Sequence, residues 1–202
     1  MRILGISCSQ RKGRSCYRLL EEAIKGVREV EPSAETKIIE FVKLNIGSCV
    51  AVCCDADTCG KIPFECNLKD DLQTVFGEMK LAEGILIASP RYFIVPSKLQ
   101  AFMERLYCVH FFSKEMHPAH PFPLADKPCG LLTVSGSGEY STMPLLEHLE
   151  KFCLWMQMRP IMTKIWPFRG VVAKSPASED TQALEHAKTL GQTVMKTVKE
   201  GR

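Results

Sequence analysis

The sequence predicts an α/β fold, a doubly wound parallel sheet covered by helices on both faces. Two observations carry this expectation. The clearest strand candidates, "RILGIS" (2–7) and "GILIASP" (84–90), are continuous apolar runs without polar alternation, as strands buried on both faces require. Strand and helix candidates then alternate along the whole chain, the pattern of a sheet built from crossover units. A chain of 202 residues buries roughly 70% of its unfolded surface, so one core forms without crosslinks.

Each element follows in turn. After the first strand, "SCYRLLEEAIKGVREV" (15–30) sets Leu19, Leu20, Ala23, Ile24 and Val27 on one helical face. "TKIIEFV" (36–42) is the second strand, and a cysteine-rich loop (49–66) comes directly after it. "DDLQTVFGEMKLA" (70–82) reads as a helix whose N-terminus favours the acidic pair Asp70 and Asp71. The third strand, "GILIASP", leads through "RYFIVP" into the helix "SKLQAFMERLYCVHFF" (97–112), with Ser97 as its cap. Residues 113–128 hold four prolines and read as a connecting loop. "CGLLTVSGSG" (129–138) is the fourth strand with its loop, "PLLEHLEKFCLWMQM" (144–158) a helix, and "RPIMTKIWPFRGVVAK" (159–174) holds the fifth strand. The closing helix lies within 178–200, capped by Ser178 or Asp180. Five strands of this kind imply the flavodoxin-like order 2-1-3-4-5 in a single domain spanning 1–202, with no repeat and no low-complexity segment.

Composition narrows the function. A net charge of +3, from 26 basic and 23 acidic residues spread along the chain, does not suit nucleic-acid binding. No apolar stretch reaches the roughly 20 residues that span a bilayer, so no membrane partner is expected. "MRILGIS" enters an apolar strand with no secretory pattern, and a cytoplasmic location is the expectation. In a reducing compartment ten cysteines are not a disulfide framework; five of them, Cys49, Cys53, Cys54, Cys59 and Cys66, crowd into one loop and point to metal or redox chemistry.

In a doubly wound sheet the ligand sits beyond the carboxyl ends of the strands, so the loops there carry the chemistry. "SCSQRKGRSC" (7–16) offers hydroxyls, cations and a glycine just before a helix N-terminus, the makings of a phosphate cradle. It lacks both the triphosphate-loop and the dinucleotide patterns, so a terminal monophosphate such as that of FMN fits better. "SPRYFIVP" supplies an apolar edge at Tyr92 and Phe93 for a flat ring, and "SGSGEYS" brings backbone close to whatever is bound.

These loops resemble those of the NADPH-dependent FMN reductase family, and within it the iron-sulfur flavoproteins. "GISCSQRKGRSC" is similar to that group's "GISGSPRKGSNT", "SPRYFIVPSKLQAFMER" to "SPVYFGSVSAQLKAFIDR", and "CNLKDDL" to "CVIKDDM". The resemblance covers residues 1 to about 106 and continues weakly through "KPCGLLTVSGSG". It implies an FMN phosphate held by Ser7, Ser9, Arg11, Ser15 and Cys16, an isoalloxazine lying against Pro90, Arg91, Tyr92 and Phe93, and Ser135 and Gly136 closing the far side. Cys8, Gln10, Cys16 and Arg91 depart from the group's pattern. A cation at Arg91 favours an anionic reduced ring and so tunes the cofactor.

For the cysteines the resemblance implies a 4Fe-4S cluster held by Cys54, Cys59, Cys66 and either Cys49 or Cys53, on spacings wider than the group's compact motif. Structural zinc is the rival occupant, weakened by the lack of paired CxxC knuckles, and a metal-free thiol cluster is another. Cys8, Cys108, Cys129 and Cys153 read as small buried hydrophobes, and His110, His117 and His120 as packing or loop surface. The expected activity is that of an FMN-dependent oxidoreductase that passes electrons between FMN and the cluster, without a catalytic acid, base or nucleophile. NAD(P)H or a ferredoxin-like protein would be the donor and a small molecule or protein the acceptor, in a homodimer or homotetramer. An NAD(P)H-dependent FMN or quinone reductase without a cluster and a thiol-based redox sensor are the alternatives.

Overall fold

The computed structural model describes residues 1–50, 62–136 and 139–201. Its strands are β1 (Arg2–Ser7), β2 (Glu35–Glu40), β3 (Gly84–Pro90), β4 (Pro128–Ser135), β5 (Arg159–Pro160) and β6 (Val171–Lys174). The helices are α1 (Ser15–Val30), α2 (Leu72–Leu81), α3 (Ser97–Met116), α4 (Met143–Trp155) and α5 (Thr181–Glu200). All pairings are parallel and the order is β2-β1-β3-β4-β5, with β6 also on β4, so the flavodoxin-like winding is observed.

The apolar runs behave as expected of doubly covered strands. Successive residues turn to opposite faces. Ile3, Leu86, Ala88, Leu132 and Val134 meet α1 and α5 through Leu19, Leu20, Ala23, Leu190 and Val194. Leu4, Ile6, Ile85, Ile87 and Leu131 meet the other helices through Val75, Met79, Phe102, Leu106, Leu145 and Leu149. On the first face the backbones of α1 and α5 cross closely, because a Cβ at Gly191 would collide with the Ala23 carbonyl and one at Gly26 with that of Lys188.

Three expectations change, and one is narrowed. The fifth strand is two short pieces: β5 pairs with Pro128 and Cys129, and β6 with Leu132–Ser135. Between them residues 161–170 leave the sheet as a loop closed on itself, with Thr163 N donating to Phe168 O at 2.6 Å and Phe168 N to Ile165 O at 2.7 Å. Helix α3 continues through residues 113–116, so the proline-rich connection begins at His117. Ser113 is buried there, its Oγ accepting from Phe64 N at 2.8 Å, which makes the added turn part of the packing. Ser97 is the first helical residue of α3 rather than its cap; Pro96 stands at that position without a side-chain bond. At α5 the cap is Asp180, whose carboxylate accepts from Ala183 N at 3.0 Å.

Candidate functional site

The carboxyl ends of β1, β3, β4 and β6 lie together, in the registers Ser7 with Ala88, Pro90 with Val134 and Ser135 with Lys174. Parallel pairing therefore brings the three loops singled out in the sequence to one edge.

The loop after β1 is held through its backbone N–H groups. Cys8 N donates to Ala88 O at 2.8 Å, and Ser9 Oγ accepts from Arg11 N at 3.0 Å, closing a tight turn. Gly13 stands at φ +64°, with nothing near the place a Cβ would occupy. Its N–H donates at 2.8 Å to Glu40, the buried last residue of β2, whose other carboxylate oxygen pairs with Lys43 at 2.6 Å. Burial works to raise the Glu40 pKa, but the bonds from Lys43 and Gly13 and the nearby Lys12 hold it below the usual range. Helix α1 starts behind Arg14, which makes no side-chain cap, leaving first-turn N–H groups directed at the loop.

Of the expected phosphate ligands, Ser7 is 1% exposed and its Oγ has no hydrogen-bond partner among the described residues. Such a buried hydroxyl is costly without an acceptor, and a phosphate oxygen supplies one. Ser15 Oγ accepts from Ala177 N at 3.1 Å, leaving its proton for donation. Arg11 is exposed at the loop surface. The Cys16 thiol packs into the core beside α1, where burial, only partly offset by Arg11, pushes its pKa up to about 12. What Cys16 offers an anion is its N–H. Burial, with Cys16 nearby, likewise keeps Cys8 neutral.

After β3, Pro90 is buried and Arg91 N donates to Val134 O at 2.9 Å. Tyr92 is 42% exposed, and Phe93 is 92% exposed at φ +54°. Both residues therefore lie at the exposed edge of the sheet. Arg91 Nη1 donates to the Phe93 carbonyl at 3.2 Å, so the guanidinium lies at this edge as well. Opposite, Ser135 is buried with its Oγ 3.1 Å from Ser141 Oγ, and Gly136 leaves open space where a side chain would stand. An orphaned hydroxyl and first-turn N–H groups on one side, with exposed rings and an open glycine on the other, fit FMN.

The segment after β2 reaches this edge through α3. Lys98, in the first turn of α3, donates to the carbonyls of Phe41 at 2.9 Å and Leu44 at 2.6 Å. The acidic pair of "KDDL" holds the loop: Asp70 accepts from Gly47 N at 2.9 Å and Asp71 from Asn45 N at 2.7 Å. Of the five clustered cysteines, Cys49 is half-buried and Cys66 is 7% exposed, with Arg105 Nη2 donating to its Sγ at 3.4 Å. Cys53, Cys54 and Cys59 lie outside the described residues. Among the described residues no three His, Cys, Asp or Glu side chains gather as a metal site.

Of the three histidines, His110 is buried, His117 half-buried and His120 exposed. His110 is buried against Phe122, its pKa lowered by burial and by Lys114, and His117 stands beside His120. Cys129 and Cys153 are fully buried with their sulfurs 3.5 Å apart. Arg105 and Glu40 are the site residues that sequence reasoning missed. Arg105 falls three residues after Phe102 and four before Val109, on the apolar stripe of α3, where a charge requires a buried partner.

The model of the NADPH-dependent FMN reductase family matches residues 1–171. The chain belongs to this family. As a member of the NADPH-dependent FMN reductases it is an FMN-dependent oxidoreductase; ligands of doubly wound sheets bind beyond the carboxyl ends of the strands, where the edge described above lies. An iron-sulfur flavoprotein of Methanosarcina thermophila is 26% identical over 202 residues, covering 99% of this chain and 93% of its own. Another, of Methanocaldococcus jannaschii, is 28% identical over 206 residues, 98% of each chain. Among solved structures, a WrbA-like flavodoxin from Agrobacterium tumefaciens superposes with a TM-score of 0.65 at 15% identity, covering 100% of this chain and 99% of its own, a likeness of fold. Among the described residues no helix is long and apolar enough to cross a membrane.

Proposed function

We propose that this oxidoreductase is an electron-transfer flavoprotein, in which FMN at the carboxyl edge of the sheet exchanges electrons with a 4Fe-4S cluster carried by the segment 49–66. One observation carries the reading: Cys66 is buried among apolar side chains, yet a guanidinium N–H reaches its sulfur. A merely structural cysteine has no use for a buried cation, whereas a metal-bound thiolate does. The two iron-sulfur flavoproteins that match nearly the whole chain support it.

Ser7, Ser9, Arg11, Ser15 and the Cys16 N–H hold the phosphate; Pro90, Arg91, Tyr92 and Phe93 border the ring; Ser135 and Gly136 face it. Cys54, Cys59, Cys66 and one of Cys49 and Cys53 are the cluster ligands. When bound, FMN handles electrons in pairs or singly and the cluster singly, so together they convert between the two regimes. The chain's own residues bind, shield and set potentials. Arg91 places a positive charge at the flavin edge, and Lys98 ties the chain leading into the cysteine segment to the helix that opens there. NAD(P)H or a ferredoxin-like protein is the donor, a small molecule or protein the acceptor, and the working unit a homodimer or homotetramer.

Iron, acid-labile sulfide, zinc and flavin counted per chain after anaerobic purification test this. About four irons and four sulfides with one FMN are expected. FMN without iron, or with zinc instead, overturns the cluster and leaves a flavin reductase with structural cysteines.

A further inference from the structure

Arg105 is the largest fully buried side chain among the described residues, and it carries a permanent charge. Neither the phosphate loop nor the flavin edge uses it. Nη1 donates to Asp70 Oδ2 at 2.5 Å and to the Gly47 carbonyl at 3.1 Å. Nη2 donates to Asp70 Oδ1 at 3.0 Å, to the Leu68 carbonyl at 3.4 Å and to Cys66 Sγ at 3.4 Å. Asp70 in turn accepts from Gly47 N at 2.9 Å and Leu72 N at 3.1 Å. One cation thus grips the chain two residues before Cys49 and again from Cys66 to Asp70, at both ends of the cysteine segment.

Burial of an ion pair alone does not explain this arrangement, since apolar side chains of similar volume usually serve stability as well. What they lack is a donor for sulfur. A lysine ammonium offers no planar fork, so it cannot grip Asp70 with two nitrogens and still reach Gly47, Leu68 and Cys66.

We propose that Arg105 is the positioning residue of the cluster: it fixes the span of the segment 49–66 and donates an N–H to the sulfur of the Cys66 ligand. The inference rests on the cluster reading above. A fixed cation beside a ligand thiolate stabilises the added negative charge of the reduced cluster more than that of the oxidised one. It therefore strengthens iron binding and raises the cluster potential.

The test uses the full chain, purified without oxygen, as wild type, Arg105→Lys and Arg105→Met. Iron, sulfide and FMN are counted per chain, and the cluster potential is read by a redox titration followed by electron paramagnetic resonance. Both variants are expected to keep FMN. Arg105→Lys binds iron about 10- to 100-fold more weakly, and its remaining cluster titrates at lower potential, which a purely structural role would not produce. Arg105→Met loses the cluster. Wild-type protein labelled with nitrogen-15 in arginine supplies a measurement independent of variant folding, with one exchange-protected guanidinium displaced by the paramagnetic iron. Variants with wild-type iron content and potential, or a labelled wild type with no displaced guanidinium, overturn the role of Arg105. A wild type without iron overturns the cluster reading itself, and the proposal with it.

Discussion

The phosphate loop (8–14) and the cysteine segment (49–66) both follow strands at the same sheet edge, yet they are held in different ways. The first is a short turn between β1 and α1, fixed by the N–H groups of Cys8, Arg11 and Gly13, which donate to the Ala88 carbonyl, the Ser9 hydroxyl and the Glu40 carboxylate. The second is long, and the chain flanking it and its described end at Phe64 and Cys66 are held by side chains of α3: Lys98 on Phe41 and Leu44, Arg105 on Gly47, Cys66 and Asp70, Ser113 on Phe64. A turn whose geometry is set by its neighbours needs little external support. A longer connection gains from points of attachment outside itself, and the helix that opens beside the flavin edge provides them on either side of the segment.

Damage to one region should therefore spare the other. The largest effect is expected from Asp70→Ala, which strands the buried Arg105 cation and costs about 3–5 kcal/mol. Chemical unfolding reads that loss, while FMN affinity of the folded fraction stays near wild type; a parallel collapse of FMN binding would show that the two regions are not separately held. In the other direction, Gly13→Ala places a side chain at φ +64°, a strain of about 1–2 kcal/mol. FMN titration should show roughly tenfold weaker binding, with iron content untouched.

Smaller effects concern tuning. Arg91→Val removes the cation at the flavin edge and should lower the FMN potential by roughly 30 mV, a tenfold change for a two-electron couple. An unchanged potential would remove Arg91 from that role. The smallest effect is acidic. Glu40 titrates below the usual carboxylate range, so its support of Gly13 is complete above that range and fades as pH falls through the depressed value. A protonated Glu40 still accepts from Gly13 N–H, so only the charged part is lost. FMN affinity should weaken modestly as pH falls below the usual carboxylate range, and Glu40→Gln should flatten that slope.

Much of the fold was legible because its signals are local. Residues 2–7, 84–90 and 15–30 follow directly from apolar runs and helical spacing, and parallel winding then fixes which loops meet. The split fifth strand was not legible, because "IMTKIWPFRG" is apolar enough to pass for strand while its bonds close within residues 161–170. The last turn of α3 was hidden by the prolines that follow it. At the candidate site, the loops at the sheet edge stand out through residue type, whereas Arg105 and Glu40 act through partners 35 and 27 residues away. A charge on an apolar stripe is the one local trace Arg105 leaves, and pairing it with "KDDL" requires the tertiary structure.

The central claim is that electrons pass between the flavin edge and the cysteine segment. Rapid mixing of the anaerobic, cofactor-loaded protein with a two-electron reductant, followed by absorbance and freeze-quenched electron paramagnetic resonance, tests it most directly. The account predicts that the signal of a reduced cluster grows as reduced FMN is partly reoxidised, within one chain or oligomer and independent of protein concentration. A flavin that stays fully reduced beside an unreduced cluster, or an iron-free protein that turns over at full rate, would contradict it.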